Sequence, residues 1–169
     1  LQLARIFNAP YTVYSKNINK SYRSYCGKIG KPIVLFEGGK SLDSNKKIIR
    51  FGVSGVIRFL DHLDMLDSKF KVPVALSNTV VIEKSRWLRA QKSGLLHLRI
   101  SSNNFVNKGD VLGTITDPYG KMRFKVLAPN NGYILNINQA PIVHQGDAIF
   151  HISTKDSAIA DSEEVKDIV

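Results

Sequence analysis

The residue whose type and setting best suit it to chemistry is Glu37. It closes the run Ile33-Val34-Leu35-Phe36 and is followed at once by Gly38-Gly39. Four apolar residues in succession predict a strand buried on both faces, and two glycines let the chain turn away after it. In α/β proteins, reactive groups are held in the crevice outside the carboxyl ends of the strands. A carboxylate there can accept a proton and give it back, which is general acid–base chemistry. The same group can equally form an ion pair, and Lys40 is close enough in sequence to be its partner.

Other candidates are sparser. His62, His97, His144 and His151 show no H-x-x-E or H-x-x-x-H spacing and do not read as a zinc site. No G-x-S-x-G, phosphate-binding glycine loop or dinucleotide fingerprint is present. Arg86, Trp87 and Arg89 form a polar–aromatic cluster that could line a crevice, or could be a packed Trp among solvated arginines. Cys26 is the only cysteine, which excludes an intrachain disulfide and a thiolate metal cluster. A reducing, cytoplasmic setting is the expectation.

The net charge of +10 raises the question of nucleic acid. Its distribution argues against that partner. Residues 1–75 carry 13 Lys/Arg against 5 Asp/Glu and residues 76–155 carry 10 against 4, so the charge is spread over both halves. It is neither stacked on one helix nor interleaved with a row of aromatics. A solvated basic surface that favours anionic small molecules fits better. No apolar run is long enough to span a bilayer, so no membrane partner is expected.

These groups need elements to hold them. Leu3-Ala4-Arg5-Ile6-Phe7 reads as the end of a helix closed by Asn8-Ala9-Pro10, and Tyr11 to Ser15 as a strand. Residues 19–29 predict a helix capped by Asn19 or Ser21 and stopped by Gly30 and Pro32. After the expected strand at 33–37, Ser44 is a plausible cap. Ile49, Val53, Val56, Ile57, Leu60 and Leu63 then recur at helical spacing up to about Asp64. Gly52 and Gly55 would cost this helix about 1 kcal/mol each, so close packing is their expected purpose. Strand, helix, strand, helix predicts a parallel, right-handed βαβα unit. Two visible strands make a thin sheet, so residues 1–70 read as the back end of a larger α/β domain. The first residue, Leu1, fits a sequence that starts in mid-flow.

Residues 69–75 read as a linker, after which the character changes to short strands separated by Gly, Asn and Asp. An internal repeat runs through this half. Ala90-Gln-Lys-Ser-Gly94-Leu-Leu matches Ala128-Pro-Asn-Asn-Gly132-Tyr-Ile, and Val106-Asn-Lys-Gly109-Asp110-Val-Leu112 matches Val143-His-Gln-Gly146-Asp147-Ala-Ile149. The Gly-Asp pairs suit tight turns. Two halves related by a pseudo-twofold axis predict a small closed all-β domain over residues 76–154, followed by an acidic, flexible tail at 155–169. This pattern resembles the barrel-sandwich hybrid of biotinyl and lipoyl carrier domains. In biotinyl domains the modified lysine sits at a hairpin tip, which makes Lys121 a candidate here. Asp117-Pro118-Tyr119-Gly120 is itself a type I turn, however, which puts the tip at Pro118 and Tyr119 and Lys121 on the returning strand.

Taken together, the two halves resemble one family. Leu3-Ala-Arg-Ile-Phe-Asn-Ala-Pro10, Gly30-Lys-Pro-Ile-Val-Leu-Phe-Glu37-Gly-Gly39 and Gly52-Val-Ser-Gly55-Val-Ile-Arg-Phe-Leu60 look like the later part of the catalytic domain of succinylglutamate desuccinylase/aspartoacylase proteins. Trp87-Leu-Arg-Ala-Gln-Lys-Ser-Gly94, Val106 to Gly113 and Ala128 to Gly132 look like that family's C-terminal β domain. The resemblance implies a zinc carboxypeptidase-like hydrolase that cleaves the amide of a small anionic N-acyl amino acid. Two His and one Glu would hold the zinc and its water, and a second Glu would move the proton. Glu37 matches that second Glu. The zinc ligands and the substrate-gripping Arg are expected upstream of Leu1, so the chain by itself is expected to be inactive. A homo-oligomer is a further expectation, because core on the open side of the sheet would be exposed. The competing reading is a non-catalytic binding module built on the β domain.

Overall fold

The computed structural model describes residues 1–76 and 79–158. They fall into two compact units, one over Leu1–Val81 and the other over Ile82–Ser157.

The first unit holds three helices: α1 (Gln2–Phe7), α2 (Tyr22–Lys28) and α3 (Lys46–His62). Asn8 ends α1 in the left-handed conformation at φ 56°, with its N–H donated to the Ala4 carbonyl. Ser21 caps α2 by accepting from the Ser24 N–H. Asn45, one residue later than the expected Ser44, caps α3 by accepting from the N–H groups of Lys47 and Ile48. Gly55 of α3 lies so close to Phe7 of α1 that a Cβ there would fall 2.5 Å from the ring. Phe7 in turn packs on Phe36 and Phe59, with ring centroids 5.1 and 5.5 Å apart. Close packing is therefore what both helix glycines serve, since a Cβ on Gly52 would meet the Phe36 ring at 3.1 Å.

Short strand β1 (Tyr11–Val13) runs beside the start of β2 (Val80–Arg89), where the Val80 N–H donates to the Pro10 carbonyl. The expected strand at 33–37 does not form. Those residues carry no ladder, Leu35 is 54% exposed, and no parallel βαβα unit arises among the described residues. A strand exists only through hydrogen bonds to a neighbour, and no described residue supplies one to this stretch. Side-chain packing through Phe36 holds it in place of a ladder.

The second unit is all β. It continues β2 and adds β3 (Gly94–Leu98), β4 (Phe105–Val106), β5 (Val111–Thr116), β6 (Arg123–Leu127), β7 (Gly132–Ile137), β8 (Ile142–Val143) and β9 (Ala148–Ala158). One sheet of this unit runs β2-β9-β7-β4 and the other β6-β5-β3-β8. Their inner faces share one core that includes Leu96, Leu112, Ile115, Ile134, Val143, Ile149 and Phe150. Because β9 reaches Ala158, the first residues of the expected tail are strand. The tail from residue 159 onward lies outside the described residues.

The repeat seen in the sequence is a reciprocal hydrogen-bond network. Ala90 of the first copy donates to the Asp147 carbonyl of the second at 2.8 Å, and Ala128 of the second donates to the Asp110 carbonyl of the first at 2.9 Å. Gly146 N–H returns to Ala90 and Gly109 N–H to Ala128, both at 2.8 Å. The strand registers mirror each other too, with Gly94 opposite Val143 and Gly132 opposite Val106. Each copy thus closes the other. Gly109 and Gly146 have φ of 94° and 96°, where a side chain would be strained.

Candidate functional site

Glu37 lies in the first unit, on the extended stretch between α2 and α3. Its position is fixed on either side. Phe36 is clamped between Phe7 and Gly52, and Gly38 sits against Ile48, whose Cγ2 a Cβ there would approach to 2.6 Å. The Glu37 side chain itself is exposed, and among the described residues no hydrogen bond or ion pair engages it. Lys40, the partner suggested by sequence, lies instead 4.0 Å from Asp43. Glu37 is therefore a carboxylate on a held backbone with both oxygens free for a ligand or a water.

The first unit contains one polar arrangement that sequence reasoning missed. Arg58 of α3 reaches the carboxyl end of α1, where its guanidinium donates to the carbonyls of Phe7 (2.6 Å), Ile6 (3.2 Å) and Asn8 (3.4 Å). A cation at these unpaired carbonyls also complements the helix dipole. Burial pulls the Arg58 pKa down from its ordinary value. The only sequence signal was an Arg one turn from Gly55 on a helix otherwise read for its apolar stripe.

The histidines stay apart. His97 Nε2 lies 3.0 Å from Thr116 Oγ1, and His151 Nε2 lies 2.9 Å from Ser85 Oγ. His144 stands at the second Gly-Asp turn, where its backbone N–H donates to Asp147 Oδ2 at 2.7 Å. Among the described residues no three His, Cys, Asp or Glu side chains gather as a metal site, so these residues do not fit zinc. Strand alternation puts Arg86 on the face of β2 opposite Trp87 and Arg89, and the three side chains take separate partners. Trp87 stacks on His151 with ring centroids 4.8 Å apart and planes 7° apart, while Arg86 bonds Asn130 and Arg89 the Gly146 carbonyl. Burial lowers the His151 pKa.

At the hairpin, Gly120 N–H donates to the Asp117 carbonyl at 3.1 Å, which puts the tip on Pro118 and Tyr119. Lys121 is exposed and stands two residues before β6 begins, so it follows the turn and is not yet on the returning strand.

No family model matches the sequence, and neither does any curated protein. Solved structures do match in fold. The ectoine utilization protein EutE (DoeB) of Ruegeria pomeroyi, in its apo form, is 19% identical with a TM-score of 0.76, over 91% of this chain and 50% of that one. A succinylglutamate desuccinylase/aspartoacylase from Rhodobacter sphaeroides is 18% identical with a TM-score of 0.76, over 95% and 49%. A succinylglutamate desuccinylase from Silicibacter is 20% identical with a TM-score of 0.73, over 88% and 46%. The chain spans about half the length of the structures it matches. Mixed α/β in class, it has the fold of succinylglutamate desuccinylase/aspartoacylase family proteins over about half of their length.

Proposed function

We propose that this chain is the C-terminal portion of a zinc-dependent hydrolase that deacylates a small anionic N-acyl amino acid, with Glu37 as its proton-transfer residue. On this reading, residues 1–70 end an α/β catalytic domain and residues 76–154 form a barrel-sandwich hybrid. The observation that carries the reading is Glu37 itself: an exposed, unengaged carboxylate held by the packed Phe36 within a fold shared with desuccinylase/aspartoacylase proteins. A second observation supports the fragment status. Ile49, Val53 and Val56 on α3, with Leu63 at its C-cap, form an exposed apolar stripe, a face that folded proteins cover. In the complete protein that cover would be more of the catalytic domain, or a second subunit of a homo-oligomer.

Zinc, when bound, supplies the polarisation that makes a water acidic. Its ligands would come from outside this sequence, since the described residues offer no suitable group. What this chain contributes is the proton path. Glu37 takes the proton of the attacking water and returns it to the leaving amine, so one carboxylate serves as base and then acid. No helix among the described residues is long and apolar enough to cross a membrane, and the reading places the protein in the cytoplasm.

The test is Glu37→Gln in the complete protein. Turnover of N-acyl amino acids should fall by about 10²–10⁴-fold while zinc content, measured by mass spectrometry, stays unchanged. Near-normal turnover would remove Glu37 from the mechanism. The second reading, a non-catalytic binding module, draws on the absence of a metal cluster among the described residues. A complete protein that binds no zinc and hydrolyses no N-acyl amino acid would favour it.

A further inference from the structure

Strand β6 is the end strand of the sheet β6-β5-β3-β8. In an antiparallel pair every second residue turns its N–H and C=O away from its partner, so β6 presents a row of main-chain donors and acceptors on its far side. Among the described residues no strand covers that side. Phe124 and Val126 face the core, which puts Arg123, Lys125 and Leu127 on the outer face. Arg123 stands opposite Thr116 and Lys125 opposite Thr114. His97 completes the patch through its contact with Thr116 Oγ1 at 3.0 Å.

The charge of this edge is uncompensated. Arg123 and Lys125 are exposed and have no hydrogen-bond or ion-pair partner among the described residues. Four of the five acids of the second unit are committed elsewhere. Glu83 pairs with Lys155, Asp110 and Asp147 accept from their own turn backbones, and Asp156 accepts from Ser153. Asp117, one residue past the Thr116 that stands opposite Arg123, has a buried carboxylate oxygen with no hydrogen-bond partner among the described residues. A cationic edge repels a second copy of itself, which is one way sheets avoid pairing with their own kind. The same charge favours an anionic strand.

We infer that β6 is a docking edge for an extended acidic segment of a partner protein, which adds to the sheet as a further strand. On an added strand alternate side chains fall beside Arg123 and Lys125, within the usual 4.5–5.5 Å of cross-strand Cβ pairs. The intervening side chains lie on the Phe124 side, next to the core. The segment recognised therefore alternates acidic and apolar residues. Main-chain pairing would supply much of the affinity, which separates this ligand from a nucleic acid that has only phosphates to offer.

A labelled peptide of about ten residues alternating Glu and Val, titrated into the complete protein by fluorescence anisotropy, tests the inference. Saturable binding is expected, weakened about tenfold by Arg123→Glu with Lys125→Glu, since two exposed ion pairs become repulsions. N-methylation of alternate peptide nitrogens should abolish it. Should the Arg123→Glu with Lys125→Glu variant keep its circular dichroism spectrum but bind unchanged, the inference fails. It fails equally if no saturable binding occurs. An N-methylated peptide or an oligothymidylate of equal charge binding as well as the free peptide would reduce the edge to a general polyanion surface and overturn strand addition.

Discussion

At the scale of single residues, Glu37 and His151 show how little of a side chain's role depends on its own identity. Glu37 is a carboxylate that any reader would notice, yet it is the ring of Phe36, wedged between Phe7 and Gly52, that sets where it stands. His151 shows no motif at all, but it lies flat on Trp87, the only tryptophan of the chain, and bonds Ser85. Burial disfavours its charged form, so its pKa in the folded state is below the ordinary value of about 6.5. The unfolded chain then binds this proton more readily. The stabilising contribution of the neutral imidazole is present above the unfolded pKa and is lost as pH falls through the folded one. Of the other charged groups on that side of β2 and β9, Glu83 and Lys155 pair with each other and Arg89 donates to the Gly146 carbonyl. Trp87 emission should therefore titrate with a midpoint below 6.5. His151→Asn should abolish that transition, and a midpoint at or above the ordinary value would refute the assignment.

At the scale of elements, α3 illustrates two effects of opposite sign at one position. Replacing a helical glycine by alanine gains about 1 kcal/mol of helix propensity. At Gly55 the new Cβ would sit 2.5 Å from the Phe7 ring, which is boxed in by Phe36 and Phe59 and cannot yield easily. Overpacking of this kind costs about 1–3 kcal/mol, so the clash should win and Gly55→Ala should lower the urea midpoint. At Gly52 the contact is a milder 3.1 Å to Phe36, and Gly52→Ala should be close to neutral. Equal effects at the two sites would mean that α1 and α3 are not locked by Phe7. The strand expected at 33–37 belongs to this scale as well. Its apolar run predicts a strand buried on both faces, yet Leu35 is 54% exposed and Phe36 packs through ring contacts, which are not a ladder.

At the scale of the whole molecule, the second unit is stabilised by an exchange between two copies of one motif. Asp110 accepts from the Asn107 N–H at 2.8 Å and Asp147 from the His144 N–H at 2.7 Å, and each turn then grips the alanine of the other copy. Asp110→Ala and Asp147→Ala should therefore each destabilise the unit by similar amounts, about 0.5–1.5 kcal/mol in urea unfolding. A large cost at one site with none at the other would show that the copies match in geometry but not in energy.

The sequence by itself determined what depends on short stretches of backbone. Ser21 and Asn8 mark helix ends because a hydroxyl can satisfy a free N–H and an asparagine can adopt positive φ, and the two Gly-Asp turns mark the repeat for similar local reasons. The repeat predicts two related halves, and the hydrogen bonds that run between them are what the structure adds. Only the tertiary structure decided which residues meet across strands and helices. Trp87 and His151 lie far apart in the chain, Arg58 reaches carbonyls some fifty positions away, and Arg123 and Lys125 become an open cationic edge only because β6 ends its sheet. Nor could four apolar residues before Glu37 reveal whether a ladder would form. A run of Ile, Val, Leu and Phe encodes the wish to be buried, whereas a strand also needs a neighbour, and that neighbour is written nowhere in the run itself.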